Sequence, residues 1–73
     1  MEKDKVVKSL RQLFPSAHNI YVDERMKLCE VNIFVDDFRG IIHEKLLEKE
    51  VLFEMEDYWD NFPFKYVFSY RIR

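Results

Sequence analysis

The last ten residues, Phe-Lys-Tyr-Val-Phe-Ser-Tyr-Arg-Ile-Arg, separate by parity into two chemistries. Phe64, Tyr66, Phe68, Tyr70 and Ile72 fall on one side, and Lys65, Val67, Ser69, Arg71 and Arg73 on the other. A β-strand, whose side chains alternate with a period of two, turns that order into one oily face and one basic face. The segment from Phe64 to Arg73 is therefore predicted to be a strand with its aromatic face in a core.

How such a core is held together is constrained by length. A chain of 73 residues makes one domain, 1–73, and at this size folding buries only about 60% of the surface that the unfolded chain exposes. The single cysteine, Cys29, cannot form an intrachain disulfide, and no Cys/His set has zinc-like spacing. Stability must come from apolar packing or from association. The twelve aromatic residues suit either, since a large ring buries about 150–250 Å².

Upstream of the final strand, Val6, Val7, Leu10, Leu13 and Phe14 are spaced as one stripe of a helix from about Asp4 to Phe14, with Asp4 as the N-cap and Pro15 as the stop. Ile20 to Glu24 and Leu28 to Asp36 alternate and predict two strands, with Ile20 and Val22 in one and Cys29, Val31, Ile33 and Val35 in the other. Their join near Arg25 to Lys27 lacks an Asn-Gly or Asp-Gly pair, so a turn longer than two residues is expected. Phe38, Ile41, Ile42, Leu46 and Leu47 then predict a second helix, capped by Asp36 or Asp37 and running to about Lys49. Gly40, the only glycine, falls in its first turn, and Leu47 lies opposite Ile42 on the wheel. From Val51 the period returns to two, giving a strand with Val51, Phe53 and Met55 on one face. If Phe53 faces Phe68 and Met55 faces Tyr66, the same register sets Glu56 opposite Lys65 and Glu50 near Arg71. The expected fold class is α+β: a two-layer sandwich in the order α-β-β-α-β-β, two helices on one face of a mainly antiparallel four-stranded sheet.

The function classes this sequence offers are few. A formal charge of −2 does not advertise a nucleic-acid binder, although acids concentrate between Asp36 and Asp60 and the last nine residues carry only cations. No Gly-x-Ser-x-Gly, P-loop, dinucleotide fingerprint or His-Glu-x-x-His is present, so catalytic, cofactor-binding and metal sites are not expected. His18 sits in a connector, His43 on a helix face, and Cys29 shares its face with Val31 and Ile33, which predicts burial rather than reactivity. Glu54, Glu56, Asp57 and Asp60 read as solvated charge, because a calcium loop needs glycine. The start of the chain has neither the apolar core nor the cleavage site of a signal peptide, and a soluble, reducing, cytoplasmic setting is the expectation.

Two partner readings compete. The run Tyr58, Trp59, Phe62 and Pro63 is unusually aromatic for a connection between strands. It either caps the core or anchors a partner; with Leu47 and Leu52 it forms the expected protein interface, most simply of a homodimer. The alternative is a nucleic-acid module using Lys65, Arg71 and Arg73, joined by Lys3, Lys5, Lys8 and Arg11 of the first helix. Against it, the aromatics and cations of the last strand lie on opposite faces, whereas a base-stacking platform needs both on one. Salt separates the readings, since phosphate binding weakens steeply with ionic strength and an aromatic contact does not.

Overall fold

The computed structural model of the chain describes residues 2–35, 45–47, 50–59 and 61–73. They form one helix, α1 (Glu2–Leu13), and five strands, β1 (Ala17–Asp23), β2 (Leu28–Ile33), β3 (Lys45–Leu47), β4 (Val51–Trp59) and β5 (Phe64–Ile72). The strands make a single sheet in the order β1-β2-β5-β4-β3, and every neighbouring pair is antiparallel.

Helix α1 follows the apolar stripe, with Val6, Leu10 and Phe14 buried. It starts earlier than predicted, so Asp4 is not the cap. Both Glu2 and Asp4 lie in the first turn, where carboxylates complement the positive end of the helix. The helix ends as Pro15 demands: the Phe14 amide donates to the Leu10 carbonyl (2.7 Å), and the Ala17 amide then donates to the Phe14 carbonyl (3.0 Å).

The β1–β2 hairpin closes from Asp23 to Leu28 through four residues, in agreement with the expected long turn. Asp23 Oδ1 accepts from the amides of Arg25 (3.0 Å) and Met26 (3.2 Å), which holds the first bend. Lys27 completes the turn at φ 56°, in the left-handed region. Its carbonyl accepts from the Tyr70 amide (3.0 Å), and its ammonium pairs with Glu2 at 2.6 Å, so one turn residue ties together hairpin, helix and β5.

The predicted two-helix, four-stranded arrangement is overturned. One helix is present among the described residues, the sheet has five strands, and part of the expected second helix is β3. Lys45, Leu46 and Leu47 pair with Glu54, Phe53 and Leu52. An apolar run this short fits either period, and here the unsatisfied edge of β4, a few residues away in the chain, offers a hairpin ladder. The predicted cap at Asp36 or Asp37, Gly40, Ile42 and His43 lie outside the described residues.

The β4–β5 register is also corrected. Phe53 pairs with Tyr70 and Met55 with Phe68, two residues from the predicted alignment. A two-residue slip keeps every side chain on its expected face. The slip alone sets Leu52 rather than Glu50 opposite Arg71; a bulge between Met55 and Asp57 then adds a residue, so Trp59 rather than Glu56 stands opposite Lys65.

The core lies between α1 and one face of the sheet. Along β5 burial alternates strictly: Phe64, Tyr66, Phe68 and Tyr70 are buried, and Lys65, Val67 and Ser69 half-buried. Cys29, Val31 and Ile33 of β2, with Val51 and Phe53 of β4, complete the same face. Phe14 stacks on Tyr66 at 5.8 Å and lies 6.0 Å from Phe68, whose ring meets Phe53 edge-on at 5.9 Å. Phe14→Ala and Phe68→Ala are each expected to cost about 3–5 kcal/mol, comparable with the whole stability of a small domain. Val67→Ala, on the other face, should cost about 1 kcal/mol or less; urea denaturation followed by circular dichroism measures the contrast.

Candidate functional site

The second face of the sheet is where chemistry is displayed. Cross-strand partners share a face, and the registers place Tyr21 with Glu30, Glu30 with Val67, and Asn32 with Lys65 on the side away from the core. Across β5, the same face carries Lys65 with Trp59, Val67 with Asp57, Ser69 with Glu54, and Arg71 with Leu52. None of these side chains is buried. Among the described residues no helix covers them.

Charge on this face is predominantly negative. Asp23, Glu30, Glu54, Glu56 and Asp57 face Lys65 and Arg71. Lys65 Nζ lies 3.7 Å from Glu30 Oε1, and Glu30 Oε2 accepts from Asn32 Nδ2 at 2.9 Å. The predicted partner of Lys65, Glu56, instead accepts from Ser69 Oγ at 2.8 Å, because the bulge moves it along the ladder. Arg71 is exposed and six residues from Lys65, roughly 20 Å along an extended strand. Arg73 lies beyond the end of β5, its amide donating to the Glu50 carbonyl at 2.8 Å. The basic stripe of the sequence is thus interleaved with carboxylates of neighbouring strands. The cations Lys3, Lys5, Lys8 and Arg11 belong to α1, on the other side of the sheet, and Arg11 Nη1 donates to the Ala17 carbonyl at 3.0 Å.

The aromatic residues singled out in the sequence project outward. Trp59 is 57% exposed at the end of β4, Tyr58 55%, and Phe62, in the β4–β5 connection, 69%. Trp59 shares the uncovered face with Lys65, while Tyr58 pairs with Tyr66 on the core side. Phe62 sits in a row of rings: His18 to Phe34 at 4.3 Å, Phe34 to Phe62 at 5.4 Å, and Phe62 to Phe64 at 6.4 Å. Leu52 is half-buried and its backbone partner is Leu47, at the β3 side of the sheet. The five expected interface positions are therefore spread over both faces and one end of the sheet. His18, Phe34 and Tyr21 were missed as surface aromatics; the parity of β2 puts Phe34 opposite in facing to Ile33, but nothing local joins it to Phe62, 28 positions along the chain.

Cys29 is buried, as its alternation predicted, and its thiol donates to the Phe68 carbonyl at 3.6 Å. Burial pushes its pKa up from 9.0 to about 12, opposed in part by the Phe68 backbone, which favours the thiolate. Tyr70 also moves up to about 12, through burial first and then the charge of Glu2 and a hydrogen bond to it. Among the described residues no three His, Cys, Asp or Glu are grouped to hold a metal ion, and no helix is long and apolar enough to cross a membrane.

Comparison with protein-family models, with curated proteins and with solved structures finds no match to this chain.

Because the thiolate is the reactive form, native Cys29 should alkylate on the order of a hundredfold more slowly at pH 8.5 than in the urea-unfolded chain, as read by mass spectrometry with iodoacetamide. Folding favours the protonated thiol, so its stabilising contribution is intact below pH 9 and lost as pH rises toward about 12. The urea midpoint should fall over that range and fall less in Cys29→Ala; Tyr70→Phe should remove a second part of the alkaline decline, beginning near pH 10.

Proposed function

We propose that this chain is a small non-enzymatic domain that acts through protein contacts, with a second copy of itself as the simplest partner. The observation that carries the reading is the exposed row His18, Phe34 and Phe62, in which rings from three separate segments meet in tilted contacts at 4.3 and 5.4 Å while Phe34 and Phe62 stay 44% and 69% exposed. A domain with a small core does not gain from leaving large rings in water, and clustered aromatics are the groups that dominate protein interfaces. Trp59, exposed at the end of β4, and Leu52, half-buried at the far end of that strand where its backbone pairs with Leu47, are the remaining contact positions of this reading. A reducing, cytoplasmic setting suits a domain whose lone cysteine is buried and free.

The nucleic-acid reading gains one feature, Trp59 on the same face as Lys65. It is disfavoured by the five carboxylates that share this face, since each repels phosphate. A protein partner is the better fit.

Replacing Trp59 with Ala, or Phe62 with Ser, should each weaken self-association about thirtyfold, as loss of an interface aromatic removes around 2 kcal/mol, while the far-ultraviolet circular dichroism and the cooperative melt persist. Light scattering behind size exclusion, over a range of protein concentrations, reads the change; a wild-type chain that stays monomeric throughout would overturn the self-contact.

A further inference from the structure

A second surface, separate from the aromatic row, is shaped for a different occupant. A shallow groove of about 650 Å³ lies over the β1–β2 hairpin, with Leu28 and Val67 in its lining beside Tyr21. Three carboxylates line it, Asp23, Glu24 and Glu30; the lining also reaches round the hairpin to Val22 and Cys29, whose side chains face the core, and to Lys3 of α1 on that side, while the strand registers set Tyr21, Glu30 and Val67 side by side on the uncovered face. The hydrogen bonds that Asp23 accepts come from neutral amides and leave its charge in place. Glu30 is only partly offset by Lys65 at 3.7 Å. Tyr21 is 57% exposed, and its hydroxyl accepts from Asn19 Nδ2 at 2.9 Å, which steadies the ring.

We propose that this groove is a docking site for a cationic peptide segment of another protein, one that sets an Arg or Lys over Tyr21 and among the carboxylates with a short apolar neighbour on Leu28 and Val67. Charge complementarity selects the occupant. A cation over a tyrosine ring is attracted by its π face, and the long aliphatic stem of Arg or Lys suits an apolar floor with an acidic rim. Two copies meeting groove to groove would oppose six carboxylates, and a phosphate backbone would be repelled. Among the described residues β1 is an edge strand, so its outer edge offers backbone donors and acceptors to an extended segment.

The test is an amide-resolved NMR titration with calorimetry, using the blocked peptide acetyl-Leu-Arg-Leu-Arg-Leu-amide and its glutamate counterpart. The expected shifts cluster at residues 21–24, 28–30 and 67, the acidic peptide does not bind, and affinity falls with salt. Glu24→Gln with Glu30→Gln should weaken binding about tenfold. Val67→Arg, which places a cation in the groove on the face away from the core, should abolish it, and Tyr21→Ala should lower it severalfold. Asp4→Asn, on α1, should leave it unchanged. Equal losses from Asp4→Asn and the groove variants, or shifts scattered over all carboxylates, would mean diffuse attraction to an acidic protein and would overturn the proposal. A drop in wild-type self-association caused by Glu24→Gln with Glu30→Gln would assign the groove to a second copy instead. Neither result bears on the aromatic row, which Phe62→Ser tests separately.

Discussion

The pairing of β5 with both β2 and β4 is the interaction on which the rest of the fold depends. It places the most aromatic strand of the chain in the middle of the sheet, where its backbone groups are paired on two sides and its oily face lies under α1. Phe68 shows the consequence. It faces Cys29 on one neighbour and Met55 on the other, touches Phe53 across the ladder and lies beneath Phe14. Without β5 the two flanking hairpins share no ladder, and α1 has no continuous surface to cover. The β2–β5 contact joins positions far apart in the chain, so its loop-closure entropy must be met by the aromatic burial it creates.

Among the described residues a single helix covers one face of the sheet, and no helix lies over the other. The two faces differ in kind because β5 alternates: large rings inward, and Lys65, Val67, Ser69 and Arg71 outward among the carboxylates of β2 and β4. The bulge at Glu56 adjusts this outer face, moving one acid onto Ser69 and bringing Trp59 opposite Lys65. The aromatic row at one end of the sheet and the acidic groove at the hairpin are then distinct surfaces, one built of exposed rings and the other edged with carboxylates.

Electrostatics secure the fold only at its margin. The Lys27–Glu2 pair is exposed, and pairs of that kind contribute about 0.2–1 kcal/mol. Its role is geometric, since the same residue holds the left-handed turn, accepts from the Tyr70 amide and brings Glu2 within 3.4 Å of the Tyr70 hydroxyl. Below pH 9 both Cys29 and Tyr70 remain protonated and satisfied inside the core.

Local patterns were sufficient wherever one periodicity ran long enough to exclude the other. The strand from Phe64, the α1 stripe of Val6, Leu10 and Phe14, the burial of Cys29, Val31 and Ile33, and the long β1–β2 turn all follow from side-chain spacing and turn chemistry, because these act between neighbours in the chain. Facing was legible for the same reason, since a strand's parity survives a two-residue slip. What tertiary structure decided were the choices whose energies depend on distant partners. Lys45–Leu47 became strand because the edge of β4 was there to pair with; Lys65 met Glu30 rather than Glu56 because β2, not β4 alone, flanks β5; and Phe34 joined Phe62 because folding brought two strand ends together. Composition supplied the rings and the carboxylates, but only the sheet order set which of them share a surface, since side chains from separate strands become neighbours through backbone pairing that no local sequence pattern specifies.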